Sequence, residues 1–155
     1  PYIVHPAYVA TFGYRHFDLF SGLDREAERV ETAACALWLH DVMEDCAWTY
    51  NDFKERFGES VAEAVYYVSD HKGKTRAERQ ERTYQEMAGR LEPTFVKLCD
   101  RYINMWWSLT TGGRLGSTYA TEWEHFQGVL RVGAPADRFS ALWDANAALV
   151  AQATA

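Results

Sequence analysis

Apolar positions recur at three- and four-residue steps along most of this chain, and no period-2 alternation lasts long enough to require a strand. The pattern predicts a series of helices. His5-Pro6 marks the first start, with Pro in the first helical position, and Tyr8, Val9 and Phe12 follow at helical spacing. Residues 13–24 mix Gly13, Gly22 and aromatics and read as a loop or a short helical turn. A long helix is expected from about Asp24 to Asp45, with Val30, Ala34, Leu37 and Val42 as its apolar stripe. Thr49 followed by Asp52 is a capping signal, and Gly58 ends that short helix. Ser60 is expected to cap the segment Val61–Val68, and the charged stretch Asp70–Thr75 forms a loop.

Thr75 then caps a mostly polar, solvated helix over Arg76–Gly89. Pro93 opens another that runs to about Leu109. Gly112, Gly113 and Gly116 read as a flexible turn, Ser117 opens a helix to about Leu130, and Pro135 opens the last, to about Gln152. The class is all-α: one compact multi-helix domain over 1–155, with sites built between facing helices.

Composition narrows the function classes. A net charge of −6 argues against DNA or RNA as a partner, because nucleic-acid binding needs a basic footprint. An anionic substrate must therefore meet local basic residues or a metal. No long apolar run suggests a membrane span. Cys35, Cys46 and Cys99 lack pairing spacing and read as free thiols, which places the protein in the cytoplasm. The chain opens on Pro1 rather than Met, so a preceding segment is expected.

Three features carry chemistry. In His40-Asp41-Val42-Met43-Glu44-Asp45, a continuous helix would place the polar groups at about 0°, 100°, 40° and 140°, on one face. The residues before them, Ala33 to Leu39, are almost wholly apolar, and ionisable groups on a buried helix are costly unless paired or bound to a metal. A solvated acidic helix end, with His40 satisfied by a carboxylate, is the competing reading. Asp100 and Asn104 share a face of a second apolar helix in Lys97-Leu98-Cys99-Asp100-Arg101-Tyr102-Ile103-Asn104, where Asp100 could simply pair with Arg101. The third feature is His5 before Pro6, which by itself is a helix cap.

Taken together, "PYIVHPAYVA", "ALWLHDVMED", "FGESVAEAVYYVSD", "ERQERTYQE" and "VKLCDRYINM" resemble, in order, the motifs of the HD-domain superfamily. Within it they resemble the RelA/SpoT-family hydrolase domain and the small alarmone hydrolases, over roughly residues 1–110. The resemblance implies a metal-dependent phosphohydrolase with His5, His40, Asp41 and Asp100 as ligands. It implies Glu44 and Asp45 as the pair acting on the attacking water, and Asn104 as a substrate contact. Two imidazoles and two carboxylates suit Mn²⁺, with Fe²⁺, Mg²⁺ or Zn²⁺ as alternatives. The implied activity is (p)ppGpp 3′-pyrophosphohydrolysis, as in the stringent response. Another nucleotide phosphate, NADPH included, or a non-catalytic nucleotide-binding role are the alternatives.

The chain departs from the family in three places. Residues 13–23 look inserted and contain His16, a rival first ligand. The family's Arg-containing segment before "PY" is not in this sequence. Met105, Trp106 and Trp107 follow Asn104 where small or basic residues are usual; core is the first expectation for each Trp, stacking on a base the second. Lys72, Lys74, Arg76, Arg79 and Arg82 form a basic cluster, either a solvated helix face or a phosphate funnel. Tyr119, Trp123 and Phe126 read as core, with His125 on the outer side. A homo-oligomer is left open.

Overall fold

A computed structural model describes residues 3–155. The elements are α1 (Val4–Tyr14), a 3-10 turn (Phe17–Phe20), α2 (Glu26–Leu39), α3 (Val42–Asp45), α4 (Tyr50–Phe57) and α5 (Glu59–Val68). They continue with α6 (Arg76–Met87), α7 (Leu91–Thr111), α8 (Leu115–Thr121), α9 (Trp123–Leu130), α10 (Gly133–Arg138) and α11 (Ser140–Thr154). No strand occurs among the described residues, so the all-α expectation holds. Nor is any helix there long and apolar enough to cross a membrane.

The 21-residue α7 is the axis of the bundle, packed by α1, α2 and α5 on one side and by α8, α10 and α11 on the other. Its length follows from its sequence: Phe95, Val96, Leu98, Cys99, Ile103 and Met105 are buried along it, and Asp100, Arg101 and Ser108 are buried on its other side. Pro93 falls in its first turn, where a missing N–H costs nothing. Gly112 closes it in a left-handed conformation, φ 71°.

Local signals placed several ends well. Thr49 and Asp52 form a reciprocal capping box, with the Thr49 N–H 2.7 Å from Asp52 Oδ2. Gly58 ends α4 at φ 85°, and Thr75 caps α6 by accepting from the Glu78 N–H. Thr49→Ala is expected to lower stability by about 1 kcal/mol while leaving the α7 side chains untouched. Urea melts that show no change would mean that the box does not hold α4.

Other boundaries need correction. The expected helix 24–45 is broken: α2 stops at Leu39 and α3 restarts at Val42. The His40 ring lies 3.0 Å from the Leu37 carbonyl through Nδ1 and competes for an acceptor of the helix's own ladder. The 117–130 and 135–152 helices are also each two, with breaks at Glu122 and Phe139. Ser60 does not cap α5, which begins at Glu59 from Gly58; its hydroxyl donates to Glu28 Oε1 instead. The expected loop 13–24 starts later, because Gly13 is the close approach of α1 to α2. A Cβ there would sit 2.5 Å from Leu37 Cδ1.

Phe20, from that same stretch, is fully buried. The glycine turn after α7 is less free than expected: the Ser108 hydroxyl donates to the Gly113 carbonyl and accepts from the Gly116 N–H, and Gly116 is buried within α8. Helix α6 is not wholly solvated, since Gln80, Thr83, Tyr84 and Met87 are buried.

Candidate functional site

Three segments deliver the chemistry to one point. Helix α1 carries His5, the α2–α3 junction carries His40 and Asp41, and α7 carries Asp100. The break at His40 matters here, because it turns His40 inward while Asp41 lies alongside. His40 Nε2 stands 3.3 Å from Asp41 Oδ1 and 3.6 Å from Asp100 Oδ1. His5 Nε2 stands 3.0 Å from Asp100 Oδ1 and 3.9 Å from Asp41 Oδ2. The Nε2 atoms of the two histidines converge to 3.3 Å. Donor atoms of His5, His40 and Asp41 all fall within 4.8 Å of one another.

This geometry could hold a cation. Two imidazole nitrogens pointed at each other make no good hydrogen bond unless one gives up its proton, but both can face a shared cation. The Leu37 carbonyl accepts from His40 Nδ1, which fixes the tautomer and leaves Nε2 directed at the cluster. Asn104 Nδ2 donates to Asp100 Oδ1 at 2.6 Å and orients that carboxylate. His40 and Asp100 are buried, whereas His5 and Asp41 are 27% exposed, so the cluster is closed on one side and open on the other. An open side is what a catalytic centre needs for water or substrate.

The electrostatics agree. Burial by itself lowers the His40 pKa, but hydrogen bonds and charge from Asp100 and Asp41 outweigh it and raise it to about 10. Burial likewise pushes Asp100 up, but His40, His5 and Lys97 hold it well below the usual carboxylate range. The carboxylates thus favour a positive charge at this point, which a divalent ion can supply in place of a proton. Lys97 is held charged behind Asp100: burial opposes the charge, and Asp100 and Asp70 restore it. Its Nζ lies 3.6 Å from Asp70 Oδ1.

Glu44 sits beside the cluster rather than in it. Its Oε1 accepts the Asp70 N–H at 2.7 Å, and burial raises its pKa above the ordinary carboxylate value. Glu44, Lys72 and Arg79 line one cavity of about 520 Å³ with Tyr66, Ser69 and His71. Asp45 is exposed at the end of α3.

The expected basic cluster is not one patch. Lys72 and Arg79 face the Glu44 cavity, but Arg76 Nε pairs with Glu122 at 2.7 Å, and Lys74 is exposed. Glu122 draws Arg76 away because it is also held by Gln80 and lies near Arg101, forming a partly buried polar knot between α6, α7 and α9. His16 packs at a tilt against Phe12 with ring centroids 4.8 Å apart, and it is His5 that meets His40. Trp107 is not core: it is 48% exposed and packs on Tyr8. Tyr8, one turn from His5, reads in the sequence only as an apolar helical position, although its spacing from His5 matches that of Trp107 from Asn104. Trp123 and Phe126 are buried as expected, and His125 is exposed beside Glu81.

No family model matches the chain. Curated relatives do. The chain is 36% identical over 113 residues to guanosine-3′,5′-bis(diphosphate) 3′-pyrophosphohydrolase of Haemophilus influenzae, covering 68% of this chain and 15% of that protein. It is 37% identical over 109 residues to the enzyme of the same name, MESH1, from Danio rerio, covering 68% of this chain and 54% of the relative. Among solved structures, one described as a metazoan ortholog of SpoT that hydrolyzes ppGpp aligns over 98% of this chain and 81% of its own, with 25% identity and a TM-score of 0.70. The chain is an HD-type relative of the alarmone hydrolases. A Listeria monocytogenes protein shares the fold at 24% identity and a TM-score of 0.69, aligned over 99% of this chain. The HD-type domain thus spans about half, or much less, of the curated relatives it matches.

Proposed function

We propose that this HD-type chain is a metal-dependent (p)ppGpp 3′-pyrophosphohydrolase. The observation that carries the reading is the convergence of His5, His40, Asp41 and Asp100 beside a cavity edged by Glu44, Lys72 and Arg79. The donor set is mixed nitrogen and oxygen, which suits Mn²⁺, with Fe²⁺, Mg²⁺ and Zn²⁺ as alternatives. A divalent cation there supplies Lewis acidity and offsets phosphoryl charge.

The chain's own groups do the rest. Glu44 takes the proton of the attacking water, a task for which a raised carboxylate pKa is suited. Asp45 stands next in line for that role. The water oxygen bonds to the phosphorus attached to the 3′ oxygen, the P–O3′ bond breaks, and the 3′ oxygen leaves with a proton. The products are pyrophosphate and GDP or GTP. Lys72 and Arg79 draw the polyphosphate towards the cavity by charge, against the acidic background of the protein. Asn104 acts on Asp100 and, through its carbonyl oxygen, on the nucleotide. The partner is a small-molecule nucleotide, with no role for DNA or RNA, and the free thiols suit the cytoplasm.

A nucleotide panel with Mn²⁺, with pyrophosphate and orthophosphate measured separately, tests the proposal. Pyrophosphate released from ppGpp is the expected result. Orthophosphate from another nucleotide would move the substrate, and no turnover with any would leave a nucleotide-binding HD protein.

A further inference from the structure

Two helices that build the metal cluster continue past it as an aromatic surface. On α7, Asp100, Asn104 and Trp107 follow at four and then three residues, which places them on one stripe. On α1, His5 and Tyr8 stand in the same relation. The two stripes meet: the Tyr8 and Trp107 ring centroids are 5.9 Å apart, Tyr8 and Trp106 5.8 Å, and Trp106 and Trp107 6.2 Å. Trp107 is 48% exposed and Tyr8 42%. Seven residues of helical rise put Trp107 about 10 Å beyond Asp100 along the axis. Large rings left in water in this way call for a partner, and continuity with the cluster points to one that occupies both.

We infer that Tyr8 and Trp107 form the platform on which the substrate's nucleobase stacks while its phosphates reach the metal cluster. This rests on the nucleotide-hydrolase reading above and assigns the base end of that substrate. Rings spaced by 5.9 Å leave no room for a base between them, so it lies across their exposed faces. Stacking reads the π-face common to all bases and carries no hydrogen-bond code. The platform therefore supplies affinity and little choice between guanine and adenine.

Binding, not turnover, gives the test, so that failure of the platform and failure of the hydrolase reading remain separable. Calorimetric titration of the wild-type protein with GDP and with ADP should give dissociation constants within about threefold of each other, and ribose 5-phosphate should bind far more weakly. Trp107→Ala should weaken both nucleotides by about 5- to 150-fold, the range of base–aromatic stacking. Tyr8→Ala should act in the same direction, and Trp107→Phe should restore most of the affinity. Unchanged binding in Trp107→Ala, equal binding of ribose 5-phosphate, or no nucleotide binding by the wild type would overturn the platform. So would a change of oligomeric state in Trp107→Ala with nucleotide affinity intact, since the rings would then face a second copy. If ppGpp is not hydrolysed but GDP and ADP bind through Trp107, the platform stands and the hydrolase reading alone falls.

Discussion

Glu44→Gln is expected to lower kcat by about 10² to 10⁴ while leaving metal content and nucleotide affinity close to wild type. The substitution keeps an oxygen that can accept the Asp70 N–H, so the loop after α5 stays in place. What is lost is a group able to take a proton. Wild-type turnover in Glu44→Gln would put the base elsewhere, with Asp45 the next candidate. The same variant has a stability signature in metal-stripped protein. Burial makes Glu44 hold its proton more tightly in the folded chain than in the unfolded one. As pH rises from the ordinary carboxylate value through the raised one, the folded wild type is penalised for ionising Glu44 and loses stability. The Gln variant has nothing to ionise there. Chemical melts of the two chelated proteins across that window should diverge, with the variant the more stable at the upper end; parallel curves would contradict the raised pKa of this carboxylate.

Asp41→Ala carries the other large effect. Gently purified wild-type protein should hold about one transition metal per chain by elemental analysis, and the variant should hold essentially none. Asp41 lies 3.3 Å from His40 Nε2 at the open side of the cluster, so its loss removes a donor without opening the core. Activity should fall by on the order of 10³ or more, as expected where a metal supplies several kcal/mol of charge stabilisation. Added Mn²⁺ should raise the wild-type Tm and leave that of the variant unmoved, because a ligand stabilises only the state that binds it. Stoichiometric metal in Asp41→Ala would show that the ligand set is wrong.

The helices were legible because their signals are local: the Thr49 and Thr75 caps and the Gly58 stop need only neighbours to act. The break at His40 was not, because it depends on an imidazole turning back on the Leu37 carbonyl while its other nitrogen reaches across to His5. That is a tertiary choice, and it divides residues 40–45 between the end of α2 and the start of α3. Motif order brought His5, His40, Asp41 and Asp100 together as candidates, and the structure places them in contact across as many as 95 residues of sequence. The basic residues failed as a group because charge in sequence does not say which acid will claim it; Glu122, 46 residues on, claims Arg76. Tyr8 reads only as an apolar helical position because one exposed aromatic means little until Trp107 is seen against it.

Asp100 and its neighbour Arg101 diverge by about 100° from the same turn of α7. Arg101 is buried behind the cluster, its guanidinium 4.3 Å from the Phe126 ring and 4.4 Å from that of Tyr119, donating to the Tyr119 carbonyl and lying 3.9 Å from Glu122. The last third of the chain, where the motifs run out, is therefore not free to drift. Replacing Glu122 or the rings of α8 and α9 leaves a buried cation one residue from Asp100 with fewer groups to hold it.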